Sequence, residues 1–146
     1  MSELLLDTCV VSELRKAASS RADRRFVAWA RRHSAAQAIS AITLFELEIG
    51  VRRSERRDEA QGRVLRAWLS TVSRTFEGCI LPVDARIAAL AAGWHVPDPA
   101  PERDAFIAAT AAVHRLTVAT RNTADFKRFG VPLVNPWDAD SGREAD

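Results

Sequence analysis

The chain has little sulfur, no long apolar stretch and none of the common nucleotide-binding or hydrolase signatures. Its two cysteines, Cys9 and Cys79, lack CxxC spacing, so a reduced cytosolic interior is expected rather than a disulfide framework. No apolar run approaches the ~20 residues of a membrane span. The opening MSELLLDTCV carries Asp7 inside its apolar stretch and has no basic n-region, so no secretory signal is expected. GxGxxG and GxxxxGK[ST] are absent, which leaves a dinucleotide fold or a P-loop without support. There is no GxSxG elbow, and no candidate nucleophile falls near His33, His95 or His114. Without HExxH or paired Cys/His spacing, zinc has no ligand set. The segment after Asp7 also lacks the second Asp, two residues on, of an aspartyl-phosphate phosphatase.

What is present fits one globular domain. At 146 residues, 47% hydrophobic and 27% charged, folding buries roughly 70% of the unfolded chain's surface, and disorder is excluded. The net charge of +2 conceals an asymmetry, because 14 of the 21 Lys and Arg lie between Arg15 and Arg74. A basic first half suits a polyanion partner. Arginine supplies 19 of the 21, however, and such usage also follows from nucleotide bias in a coding genome.

Apolar runs and helical periodicities alternate along the chain. Leu4-Leu5-Leu6 reads as a buried strand, followed by a helix over 8–16 capped by Asp7 or Thr8. Phe26, Val27, Trp29 and Ala30 define an arginine-coated helix. A strand over 36–40 leads to a helix over 42–53, broken near Ser54. An amphipathic helix over 55–76 presents Val64, Leu65, Trp68, Leu69 and Val72 on one face. Residues 79–83 read as a strand and 84–94 as an alanine-rich helix. After the Pro97, Pro99, Pro101 loop come a helix to Arg115, a strand over 116–119, a short helix over 123–129 and a last strand at Leu133-Val134. This alternation predicts an α/β fold with a mostly parallel sheet. Ligands of such sheets gather beyond the carboxyl ends of the strands, where Asp7, Asp84 and Thr120 fall. With no repeat or internal linker, 1–138 is read as one domain and the polar, acidic 139–146 as a flexible tail.

Four acids stand in apolar or small-residue surroundings. Asp7 ends LLL, Glu46 lies within ISAITLFELEIGV, Asp104 opens DAFIAATAAV, and Asp125 follows the strand TVA. Each has a plain structural alternative. Asp7 suits a helix N-cap, Glu46 a solvated helix face, Asp104 the positive end of a helix dipole, and Asp125 a cap. Small neighbours, Thr43 and Gly50 for Glu46 and Ala108 and Ala111 for Asp104, leave room beside two of them. Taken together, several carboxylates in one pocket would raise one another's pKa values unless a cation intervened. An all-oxygen donor set favours Mg²⁺ or Mn²⁺ over zinc. Such an ion can activate water and neutralise a phosphoryl oxygen, the chemistry of phosphodiester hydrolysis.

At these residues the chain resembles a PIN-domain ribonuclease of the VapC toxin type, including its FitB-like branch. The resemblance is carried by LLLDTCVVSEL (4–14), SAITLFELEIGV (40–51), RDAFIAATAAVHRLTVATRNTADF (103–126) and VNPW (134–137), in the family's order and over nearly the whole chain. It implies a three-layer α/β/α sandwich and a Mg²⁺-dependent endoribonuclease, with Mn²⁺ able to substitute. It also implies a homodimeric, cytoplasmic toxin restrained by a cognate antitoxin. Asp7, Glu46 and Asp104 match the most characteristic acids. The fourth metal position falls at Asp125 or at Asn122, whose amide oxygen can coordinate but cannot act as a base. Thr120 and Ser12 follow hydroxyl positions near the site, with Thr8 a weaker candidate, and Arg121 is within reach of phosphate. The implied reaction is in-line attack of an ion-activated water, placed by Thr120 and Asp125, on structured RNA such as tRNA or rRNA, leaving a 5′-phosphate and a 3′-hydroxyl. Arg15, Arg24, Arg25, Arg52, Arg53, Arg56 and Arg57 are candidates for the RNA backbone or the antitoxin. Two rival readings are a PIN-fold regulatory partner that does not cut and a metal-dependent DNase.

Overall fold

Three consecutive leucines make the middle of the sheet. The computed structural model of the chain describes residues 2–17 and 21–138; the tail expected over 139–146 lies outside the described residues. Strand β1 (Leu4–Leu6) is wholly buried and is flanked by β2 (Gln37–Ser40) and β4 (Thr117–Ala119), both parallel to it. Strand β3 (Ile80–Leu81) adds beyond β2, and β5 (Leu133–Val134) beyond β4. The five-stranded order β3-β2-β1-β4-β5 is parallel throughout.

Side chains on a strand alternate between faces, and the core divides accordingly. Leu4 and Leu6 pack on one face with Val10 and Val11 of α1 (Thr8–Leu14) and with Phe26 and Trp29 of α2 (Arg24–Arg32). On the same face lie Leu47 and Val51 of α3 (Ala41–Arg57) and Leu69 and Val72 of α4 (Glu59–Thr75). Leu5 joins the opposite core with Ile87 of α5 (Ala85–Gly93), Ile107 of α6 (Glu102–His114) and Phe126 of α7 (Thr123–Phe126). The result is the three-layer α/β/α sandwich.

Three local expectations differ from the structure. The break expected near Ser54 falls at Asp58, since arginines 52, 53, 56 and 57 are good helix formers and Ser54 is buried within α3. Asp58 ends one helix and starts the next: its N–H donates to the Ser54 carbonyl at 2.8 Å, and its carboxylate accepts from the Gln61 N–H at 3.2 Å. Strand β3 stops at Leu81 because Pro82 has no N–H to offer a ladder. Val64, expected on the apolar face of α4, is 58% exposed.

Two consecutive strand-to-helix units run outward from β1 to β3, and the chain then returns to the other side of β1 for β4. The switch point therefore lies between β1 and β4, and the crevice at their carboxyl ends is where such a sheet binds ligands. Asp7 directly follows one of these strands and Thr120 the other.

Candidate active site

Asp7, with 5% exposure, is the one buried charged residue among the described residues. Burial raises its pKa above the ordinary carboxylate value, and the nearby Glu46 adds to that, while hydrogen bonds from Thr120, Thr8 and Cys9 oppose it. The backbone makes this position: Asp7 N–H donates to Ala119 O at 2.9 Å, joining the ends of β1 and β4. Its carboxylate caps α1, with Oδ1 accepting from Thr8 N–H at 2.8 Å. Oδ2 accepts from the buried Thr120 hydroxyl at 2.7 Å. Thr120 Oγ1 in turn accepts from Asn122 N–H at 3.0 Å. The N-cap reading of Asp7 and the site reading are thus both realised, since each oxygen retains acceptor capacity beyond these bonds.

Glu46 enters from α3, where Ser40 passes directly from β2 into the helix and caps it through Ile42 N–H at 3.0 Å. Glu46 Oε1 accepts from Thr8 Oγ1 at 2.6 Å, and Oε2 lies 3.6 Å from Arg103 Nη1. Thr43, one turn earlier, is fully buried with its hydroxyl unpartnered, and a Cβ built on Gly50, one turn later, would meet nothing within 4 Å.

Asp104 lies in the first turn of α6, which begins two residues earlier at Glu102. Burial pushes its pKa up to about 6, and Asp7, Glu46 and Asp125 each push it further in the same direction. Ala108 and Ala111 are buried on α6. The four acids expected from the sequence therefore share one electrostatic field, although they come from β1, α3, α6 and α7. Asp125 and Asn122 sit at the open side and are exposed; Asn122 precedes α7 without a side-chain cap bond. Ser12 is exposed on α1 and lines a cavity with Thr8 and Glu46. Arg121 lies over the Trp137 ring at 5.0 Å.

An all-oxygen set of acids in mutual repulsion has the donor chemistry of a hard divalent ion. Among the described residues, however, no three His, Cys, Asp or Glu side chains already stand close enough to hold one. Asp7 is hydrogen-bonded to Thr8 and Thr120, whereas Glu46 is hydrogen-bonded to Thr8 and has the Arg103 guanidinium 3.6 Å away on its other oxygen. Repulsion keeps such acids apart until a cation offsets it.

Two neighbours were not singled out from the sequence as members of the site. Arg103 is the chain neighbour of Asp104 and pairs with Glu46 across a separation that only the tertiary fold closes. Cys9 Sγ lies 3.7 Å from Asp7 Oδ2 and 3.8 Å from Thr120 Oγ1. Burial pushes the thiol pKa up, so Cys9 stays protonated and donates to Asp7.

Residues 4–132 match the family model described as PIN domain. The chain is 33% identical over 150 residues to a VapC ribonuclease of Sinorhizobium fredii, an alignment covering 92% of this chain and 98% of that protein. It is 35% identical over 144 residues to toxin FitB of Neisseria gonorrhoeae, with the same coverage of 92% and 98%. The crystal structure of FitAcB from Neisseria gonorrhoeae matches with a TM-score of 0.79 at 35% identity, covering 92% of this chain and 98% of that one.

Proposed function

The chain belongs to the PIN-domain family, and from that membership we propose that it is the toxin of a VapBC-type toxin–antitoxin pair, a Mg²⁺-dependent endoribonuclease acting on structured RNA such as tRNA or rRNA. The observation that supports this reading best is geometric: buried Asp7 stands where β1 and β4 end, hydrogen-bonded to Thr120 and Thr8, and Thr8 in turn holds Glu46. Asp7, Glu46, Asp104 and Asp125 would hold the ion, Mg²⁺ or in its place Mn²⁺. When bound, it supplies charge neutralisation at the phosphate and a lowered pKa for water.

The chain's own residues do the rest. Thr120 holds Asp7 in one rotamer and favours its ionised form. Thr8 orients Glu46 through its 2.6 Å hydrogen bond to Oε1. Asp125, on the open side, orients the attacking water, with Asn122 beside it at the start of α7. In-line attack by water leaves a 5′-phosphate and a 3′-hydroxyl, and the ribose 2′-hydroxyl takes no part.

Arginines of the basic half other than Arg15, which lies over the groove described below, hold the RNA backbone, so binding weakens with salt. The partner is a cognate antitoxin, and a groove beside the site offers it a seat. A cavity of about 230 Å³ runs from Thr8 and Glu46 to Leu65 and Trp68. Trp68 also lines a second cavity of about 140 Å³ reaching Val72 and Phe76. An apolar floor beneath Arg15, whose guanidinium lies 5.9 Å over Trp68, suits a partner segment with apolar anchors and an acidic or carboxyl-terminal end. The working unit is a homodimer in the cytoplasm. Among the described residues no helix is long and apolar enough to cross a membrane.

Incubation of the purified chain with total RNA in Mg²⁺ or Mn²⁺, with EDTA as control, tests the activity. Discrete cleavage that EDTA stops is expected, and Asp7→Asn or Asp104→Asn should abolish it with an unchanged circular dichroism spectrum. Full activity in either variant would sink the assignment. Cleavage of DNA but not RNA would favour the DNase reading, and no cleavage of either the regulatory one.

A further inference from the structure

Phe45 is a large apolar side chain left 51% exposed, and it immediately precedes Glu46 on α3. Arg103 immediately precedes Asp104 on α6. The fold brings this second pair together as it does the acids: the Arg103 guanidinium lies 5.1 Å over the Phe45 ring, with Nη1 3.6 Å from Glu46 Oε2. Two acids of the site are thus flanked by an aromatic face and a planar cation from the same two helices.

We infer that Phe45 and Arg103 form a stacking subsite for one unpaired nucleobase of the RNA, next to the phosphate that is cut. The inference deepens the ribonuclease reading and takes the position of the cut from it. Every base has a π-face that stacks on phenyl or guanidinium planes, the chief way proteins grip unpaired RNA. The ion pair to Glu46 does not oppose this. Both partners are partly exposed, and such pairs are weakly held. Arg103 therefore exchanges Glu46 for a phosphate oxygen, a partner that accepts its planar fork as well. Stacking needs a base free of its helix, so the subsite selects loops, bulges or single strands over continuous duplex.

The test is binding of short fluorescent oligoribonucleotides in calcium buffer, with one abasic nucleotide moved stepwise along the strand. The wild type should lose about tenfold in affinity when the abasic position reaches the subsite. Phe45→Ala should bind the intact strand about tenfold more weakly and be indifferent to the abasic position, and Phe45→Trp should restore both. Arg103→Gln should flatten the salt dependence by about 0.7 in log–log slope, one phosphate contact on a single strand. The inference is overturned if Phe45→Ala binds as tightly as wild type, keeps its sensitivity to the abasic position, or changes the molecular mass in solution, which would place a second copy of the chain on Phe45. Absence of wild-type binding overturns it equally. If these binding results hold but no RNA is cut in Mg²⁺ or Mn²⁺, the ribonuclease reading falls and the stacking subsite stands.

Discussion

A single hydroxyl governs how Asp7 is used. Thr120 is fully buried and spends its proton on Asp7 Oδ2 while accepting from Asn122 N–H. Its bond favours the carboxylate against burial, which favours the acid. Thr120→Val removes that bond in nearly the same volume, so Asp7 should titrate higher still. A hydrogen bond to a charged group contributes about 1.5–3 kcal/mol, so on the acid side of the rate profile cleavage should fall roughly tenfold or more. The acidic limb itself should move to higher pH, and Thr120→Ser should return it. A variant that loses rate equally at all pH values would mean that Thr120 acts on packing alone.

Asp104 gives the opposite test, through stability. Its pKa in the fold is about 6 against an ordinary 3.8, so the folded state holds its proton where the unfolded chain has released it. Without a divalent ion, the fold must lose stability as pH rises from about 4 through about 6. Asp104→Asn should therefore raise the melting temperature by a few degrees at pH 7.5 and leave it unchanged near pH 4. A divalent ion favours the ionised form, so added Mg²⁺ or Mn²⁺ should stabilise the wild type more at pH 7 than at pH 5. Thermal melts across pH, with and without the ion, read both effects.

At the scale of elements, α3 and α4 form the scaffold that carries Glu46. Their close approach depends on Gly62, where a Cβ would fall 2.5 Å from Glu55 Cα. Backbone cannot yield as a flexible side chain can, so Gly62→Ala should cost about 1–3 kcal/mol by overpacking, despite the better helix propensity of alanine. Chemical denaturation of the two proteins checks this, and a stabilised variant would show that the helices slide apart freely. Arg66 bridges the same pair, with 2.8 Å to Glu48 and 3.0 Å to Glu55.

The strands and most helices were legible in the sequence because apolar runs and helical periodicity report burial directly. Leu4-Leu5-Leu6 has no polar alternation since both faces of β1 are covered. Legibility failed where a boundary depends on one residue's local bonding, as at Asp58, or where exposure depends on what a neighbouring helix covers, as at Val64. The site followed the same division. Carboxylates in apolar surroundings were conspicuous along the chain. The contacts that orient them, Thr8 to Glu46 and Arg103 to Glu46, join residues 38 positions apart in the first case and leave no local trace.

For the whole molecule, the near-neutral net charge is the sum of surfaces with different tasks. The acids sit in the crevice between β1 and β4, while arginines cover the helices of the first half. The groove from Glu46 to Trp68 adjoins the crevice, so a partner lying in it approaches the acids at one end and the apolar face of α4 at the other. Restraint of the toxin and catalysis should therefore be separable at the far end of the groove. Trp68 is half-buried and lines both cavities. A buried tryptophan anchor at an interface commonly contributes 2 kcal/mol or more, so Trp68→Ala should weaken the antitoxin about 30-fold or more. Arg15→Glu, on the exposed rim, should weaken it by repelling an acidic segment without disturbing the core. Cleavage by the free variants should match wild type, whereas cleavage in the presence of stoichiometric antitoxin should persist only in the variants. If both variants remain fully restrained, the antitoxin lies elsewhere. If free Trp68→Ala loses activity together with melting temperature, its packing against α1 supports the site, and Arg15→Glu becomes the deciding measurement.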